Sequence, residues 1–132
     1  MPSPSKNKTE KRSSSWVPKT ICVLGTTYQI LLKTEKEDSD LVGKYGYIWY
    51  RMKQIVIRDV YREWTDEPLQ IVESNTKECL RHEILHAFLF ESGLAESSIQ
   101  CSGGWSKNEE MVDWFALQSP KIFAAYQQAG CL

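Results

Sequence analysis

The chain contains only two histidines, His82 and His86, and they stand four residues apart inside Leu80-Arg81-His82-Glu83-Ile84-Leu85-His86-Ala87-Phe88-Leu89. Residues four apart lie one turn apart on the same face of an α-helix, so a helix here brings both imidazoles to one point. Leu80, Ile84, Leu85, Phe88 and Leu89 recur at spacings of three and four, which predicts such a helix from about Pro68 to Phe90. Gly93 follows as its C-terminal stop. His82-Glu83-Ile84-Leu85-His86 is then H-E-x-x-H in mid-helix. Zinc accepts imidazole nitrogen at about 2.0–2.1 Å. Glu83, beside the first imidazole, can lean toward a water on the ion without binding the ion. The same spacing also suits two histidines packed or exposed on an ordinary helix, with Glu83 a plain helix residue.

A catalytic zinc takes three protein ligands and leaves one position for water, so a third ligand is sought downstream. Asn108-Glu109-Glu110-Met111-Val112-Asp113 opens a second helical pattern that runs to about Gln118. Glu109 and Asp113 share a helix face. Glu109 can bind the ion while Asp113 accepts a hydrogen bond from the far nitrogen of a ligating histidine, which fixes its tautomer. A competing use exists, because Ser106-x-x-Glu109 is a capping box that would occupy the same carboxylate. Acids in a first turn also suit the helix dipole without a metal. Pro120 can open a third helix at its first turn, with Gly130 ending it.

The first half of the chain reads as strands. Ile21 to Leu24 is apolar, Gly25 interrupts, and Thr27 to Lys33 resumes with β-branched and aromatic residues. After a charged loop from Glu35 to Asp40, Tyr47-Ile48-Trp49-Tyr50 and Gln54 to Arg58 form a predicted hairpin across Arg51-Met52-Lys53. Strands followed by helices predict an α+β fold, a small antiparallel sheet packed on the H-E-x-x-H helix with one or two further helices behind it. Residues 1–15 form an expected disordered basic tail, Lys6, Lys8, Lys11 and Arg12 against Glu10 giving +3. Residues 16–132 form the expected single domain.

With 16 basic and 17 acidic side chains the net charge is -1, which excludes gripping nucleic acid through overall basicity. Only the tail offers a weak basic contact to nucleic acid or an acidic partner. No apolar run approaches the roughly 20 residues of a membrane span, and no secretory signal core appears in the first residues. A cytoplasmic protein with no membrane partner is expected, its cysteines Cys22, Cys79, Cys101 and Cys131 reduced. Cys79 lies near the motif, but no C-x-x-C pair accompanies it to build a Cys/His structural zinc site. Trp105, next to Gly103-Gly104, is a candidate wall of the site.

H-E-x-x-H followed on a second helix by N-E-x-x-x-D resembles the gluzincin zinc metallopeptidases, the thermolysin-like branch. The stretch Leu80 to Leu89, then Glu91-Ser92-Gly93-Leu94, then Asn108 to Trp114, is similar to small metallopeptidases of phages and their bacterial hosts, of the minimal "minigluzincin" kind. The resemblance covers about Leu80 to Pro120. It implies a zincin-like fold, Zn2+ held by His82, His86 and Glu109, Glu83 as general base, and Asp113 orienting His82. It further implies that the edge strand Tyr47, Ile48, Trp49 and Tyr50 holds an extended peptide or protein substrate, with Gln54 to Arg58 as inner neighbour. Such enzymes also place a His or Tyr to stabilise the oxyanion, and Tyr126, Tyr47 and Tyr50 are the candidates here. The expected function is zinc-dependent hydrolysis of peptide bonds. The alternative is a non-catalytic zinc-bound interaction or regulatory protein on the same scaffold. An edge covered by the Trp16–Leu24 segment or the tail would favour that alternative.

Overall fold

A computed structural model of the protein describes residues 13–93 and 108–131, residues 125 and 126 by backbone alone. The run Ile55-Val56-Ile57 organises the sheet. All three side chains are buried, and consecutive apolar residues on a strand need cover on both faces. Their strand, β4 (Gln54–Arg58), is therefore internal to a four-stranded sheet of order β1-β2-β4-β3. β1 (Thr20–Val23) and β2 (Thr26–Lys33) form a hairpin turned by Leu24 and Gly25, with φ of 48° and 88°. β3 (Gly46–Trp49) pairs antiparallel with β4, Tyr47 opposite Val56 and Ile48 opposite Ile55.

The sheet is mixed, which corrects the antiparallel expectation, because β2 and β4 run parallel with Ile30 opposite Ile55. The chain leaves β2, lays β3 at the far edge, then turns back and slots its most apolar strand between the two. Tyr50 also departs from expectation: β3 ends at Trp49, and Tyr50 opens the turn in which the Lys53 N–H donates to its carbonyl at 3.2 Å. Among the described residues β4 is the only strand beside β3, while β1 occupies the opposite edge.

Three helices follow. α1 (Val60–Glu63) is a single turn capped by Asp59, whose carboxylate accepts from the Arg62 N–H. α2 (Leu69–Glu91) lies against β1, β3 and β4. Its buried face is Val72, Thr76, Leu80, Glu83 and Ala87, with Leu80 and Ala87 in one core with Val23, Tyr28, Ile30, Ile55 and Ile57. Of the apolar residues that signalled the helix only Leu80 lies on that face, and the others are rotated from it. Ile84 packs at the margin of the core, and Phe88 is 40% exposed. A carboxylate therefore occupies a position on the buried stripe, where the helix meets the sheet.

α3 (Glu109–Ala129) is one helix with Pro120 inside it, which corrects the expected break into two. A proline in mid-helix has no N–H for the carbonyl four residues back, here Ala116. Arg81 on α2 donates its Nε–H to that carbonyl at 2.6 Å. The orphaned acceptor is satisfied from outside, and the helix continues. Val112 and Ala116 are buried on the same side.

Two polar clusters hold the edge strand and the end of α2 in place. Tyr47 donates its hydroxyl to Asp38 at 2.5 Å, and Arg58 bridges Glu35 and Glu63 at 3.0 and 3.1 Å, fixing the loop that leads into β3. At the other end Glu91 accepts from Thr26 Oγ1, Tyr28 Oη and Lys53 Nζ at 3.0, 2.6 and 3.0 Å. Cys22 and Cys79 are free thiols; Cys101 lies outside the described residues. The basic tail lies outside them as well, except for residues 13–15, where the Val17 N–H donates to the Ser14 carbonyl at 3.0 Å. No helix among the described residues is long and apolar enough to cross a membrane.

Candidate metal centre

His82, Glu83 and His86 stand in mid-α2 where the helix passes under β3, and one donor atom from each lies within 4.8 Å of the others. Helical spacing turns both imidazoles the same way, ring centroids 4.8 Å apart. Glu83 points to the sheet side and is 6% exposed, and His86 is 8% exposed. Gly46 of β3 lies beside that carboxylate. A Cβ at this position would lie 2.8 Å from the Val56 carbonyl oxygen, so the close pairing of β3 with β4 here needs a residue without a side chain, and 3.4 Å from Glu83 Oε2, an ordinary contact.

α3 brings the remaining groups. Asn108 caps it, its Oδ1 accepting from the Met111 N–H at 2.9 Å. With the cap made by Asn108, the Glu109 carboxylate is not held as a cap. Ser106, the other candidate cap, lies outside the described residues. Glu109 Oε2 lies 3.1 Å from His82 Nε2 and Glu109 Oε1 lies 3.0 Å from His86 Nε2. One turn on, Asp113 Oδ1 lies 2.7 Å from His82 Nδ1. Asp113 thus faces the far nitrogen of His82, while Glu109 faces the near nitrogens of both histidines.

This arrangement fits a zinc ion. Two ligand atoms at about 2.0–2.1 Å from a tetrahedral ion lie about 3.3 Å apart, close to the observed 3.0 and 3.1 Å nitrogen–oxygen separations. The donor chemistry agrees with the spacing. An Nδ1–H of His82 donating to Asp113 leaves the Nε2 lone pair toward Glu109, and a lone pair facing a carboxylate oxygen calls for a proton or a cation between them. Burial holds His86 below the usual imidazole pKa, toward the neutral form that ligates metals. Burial also pushes the Glu83 carboxyl up to about 7, reinforced by Glu109 and Asp113 and opposed by His82 and Lys44. A carboxyl poised there suits taking and returning a proton near neutral pH.

A cavity of about 720 Å³ opens over these groups, walled by β3 and its flanks on one side and by α2 and α3 on the other. Tyr45, Tyr47, Ile48 and Tyr50 line it, as do Asn75, Glu78 and Cys79 on the turns of α2 that precede His82. Trp49 does not line it and is 52% exposed. Of the tyrosines named from the sequence, Tyr47 spends its hydroxyl on Asp38 and Tyr50 faces the cavity. The side chain of Tyr126, and Trp105, lie outside the described residues. The sequence reading missed Gly46, Arg81 and the capping role of Asn108. Asn108 carries a legible signal, an N-cap residue directly before the first helical glutamate. Arg81 becomes meaningful only once Pro120 is placed within a continuous helix. The chain matches no protein family model, no curated protein and no solved structure.

Proposed function

We propose that the protein is a zinc-dependent peptidase of the gluzincin kind, with His82, His86 and Glu109 as metal ligands, Asp113 orienting His82, and Glu83 as general base. The observation that carries the reading is the single Glu109 carboxylate set against the Nε2 atoms of both histidines at 3.1 and 3.0 Å while Asp113 engages the opposite nitrogen of His82. A plain pair of helix histidines has no need of that convergence from a second helix. Zinc held there supplies Lewis-acid polarisation of a carbonyl and acidifies water at the site.

The remaining work belongs to side chains and backbone. Glu83, buried beside the two imidazoles, takes the proton of the attacking water and returns it to the leaving amine. Asp113 keeps the Nδ1–H of His82 in place, so that Nε2 stays free to ligate. Among the described residues β3 pairs with β4 alone, and an extended peptide added on its other side would lie along the rim of the cavity. Substrate is therefore bound as an extra strand, with its scissile amide over Glu83 and the two histidines.

The experiment is metal analysis of purified protein, followed by digestion of an unstructured peptide mixture with and without Glu83→Gln. The expected result is one zinc per chain in both proteins and a loss of cleavage of about 10²–10⁴-fold in the variant. Zinc bound with no cleavage by the unaltered protein would assign the scaffold to the non-catalytic, interaction-protein reading. Absence of zinc would remove the metal centre altogether.

A further inference from the structure

The cavity has two ends, and contacts along it fix which residues share each. Gly46 of β3 is level with Glu83, since a Cβ there would lie 3.4 Å from Glu83 Oε2. Tyr50, four residues on, stacks on Phe90 near the end of α2, centroids 4.4 Å apart. β3 and α2 therefore run in the same sense along the cavity. Lys44 and Tyr45, which precede Gly46, share the other end with Asn75, Glu78 and Cys79. These last three stand seven, four and three residues before His82, on the stripe of α2 that carries the histidines. Glu78 precedes His82 by one turn, about 5.4 Å along the helix.

Most of the polar groups here are already engaged. Lys44 lies 5.9 Å from the centre of the Tyr47 ring, and its charge acts on Glu83. Cys79 donates its thiol to Asn75 Oδ1 at 3.6 Å. Burial, reinforced by the charges of Glu78, Glu83 and Asp113, pushes that thiol up to about 12, so it stays neutral. Glu109 and Asp113 are set against the histidines. Glu78 is the exception. Its side chain is half-buried on the cavity wall, yet its carboxylate makes no hydrogen bond or ion pair among the described residues. A carboxylate drawn partly out of water without a partner is completed by a cation.

We propose that Glu78 selects substrates with a lysine or arginine side chain within two residues of the scissile bond. The inference rests on the peptidase reading and names the substrate class of that site. Residues of an extended peptide advance about 3.3 Å each. With the scissile amide over Glu83 and the histidines, a residue one or two places away therefore comes level with Glu78. A lysine or arginine there lays its methylene stem between the two walls of the cavity and gives its charged head to Glu78. An acidic side chain in the same place is repelled, and an apolar one leaves the carboxylate covered and unpaired.

The test starts from zinc-loaded protein and an unstructured peptide mixture, with cut sites read by mass spectrometry. Lysine and arginine should be enriched at one position within two residues of the cut. Two fluorogenic peptides then differ only in carrying lysine or norleucine at that position. The expected ratio of kcat/KM, lysine over norleucine, is about 10–100. It falls to near 1 in Glu78→Gln, and Glu78→Lys turns the preference toward glutamate. Calorimetry of the same pair on zinc-loaded Glu83→Gln should give a similar ratio in affinity, abolished when Glu78→Gln is added. A ratio near 1 in the unaltered protein, or a ratio that survives Glu78→Gln, would overturn the role of Glu78 and leave the peptidase reading standing. Failure of the unaltered zinc-loaded protein to cleave any peptide would overturn the peptidase reading and the role of Glu78 together.

Discussion

The two helices that meet at the candidate metal centre are built on opposite terms. On α2, Glu83 and His86 are 6 and 8% exposed and sit in the contact between helix and sheet. On α3, the side chains of Glu109 and Asp113 are 68 and 66% exposed. The α2 half is part of the hydrophobic construction of the domain, and altering it touches the fold. The α3 half projects from a helix surface and touches little besides the histidines. Burial tunes the α2 groups, raising one carboxyl and depressing one imidazole. The α3 groups supply charge and direction. A site assembled this way separates stability from ligation, and the separation can be tested.

The largest effect is expected on the α2 side, in metal-free protein. The Glu83 carboxyl is raised from 4.5 to about 7 in the folded chain. A raised carboxyl favours the folded state while both states are protonated, so its contribution is whole below about pH 4.5 and is lost as pH rises through about 7. The loss is about 3 kcal/mol, most of it between pH 5 and 8. The depressed His86 acts in the opposite direction, since its contribution is present at high pH and fades as pH falls. The informative quantity is therefore the difference between proteins. Urea unfolding of chelator-treated samples should show Glu83→Gln gaining on the unaltered chain as pH goes from 5 to 8. A constant difference across that range would mean that Glu83 is not buried as described.

A smaller effect is expected on the α3 side. Asp113→Ala should weaken zinc binding by about 10–100-fold, as loss of a histidine-orienting carboxylate does. Competition with a chromogenic chelator measures it, and unchanged affinity would remove Asp113 from the site.

Between the halves, Arg81→Met should lower metal-free stability by about 1–2 kcal/mol by leaving the Ala116 carbonyl without its donor. Thermal unfolding reads this out, and an unshifted midpoint would show that the contact contributes nothing. The smallest effect is a predicted absence. Glu109→Ala should change metal-free stability by no more than about 0.5 kcal/mol, as a surface substitution, while zinc binding is lost. A large destabilisation would erase the contrast between the two helices.

Much of the site was readable because its chemistry depends on short helical spacings. His82 with His86, and Glu109 with Asp113, are each four apart, and a helix converts that spacing into convergence without help from the rest of the fold. That the two pairs meet depended on how α2 and α3 pack, which no local pattern encodes. The strands were readable from Ile21 to Arg58, but their arrangement was not, since pairing partners are chosen by burial across the whole sheet. Ile55-Val56-Ile57 held the clue, three apolar residues in succession where an edge strand would alternate. Pro120 misled for a physical reason: proline ends helices when its missing hydrogen bond goes unanswered, and here the answer comes from a different helix. The buried face of α2 was likewise obscured, because Thr76 and Glu83 are polar and lie where apolar periodicity would not count them.

The pairing of Pro120 with Arg81 has a consequence for how the two helices find their alignment. Inside an uninterrupted helix, away from its ends, every carbonyl is already taken, and a neighbouring helix can slide by a turn without meeting any backbone group that distinguishes one position from the next. Pro120 leaves one carbonyl in α3 unclaimed, at Ala116, and so marks a single level on an otherwise uniform rod. Arg81 reads that mark from the residue next to His82. A slip of one turn would carry Glu109 and Asp113 about 5.4 Å from their partners and would leave the marked carbonyl unread. The proline thus works as an index notch, and the alignment of the candidate metal centre is recorded in the backbone of a helix that contributes only two exposed carboxylates to it.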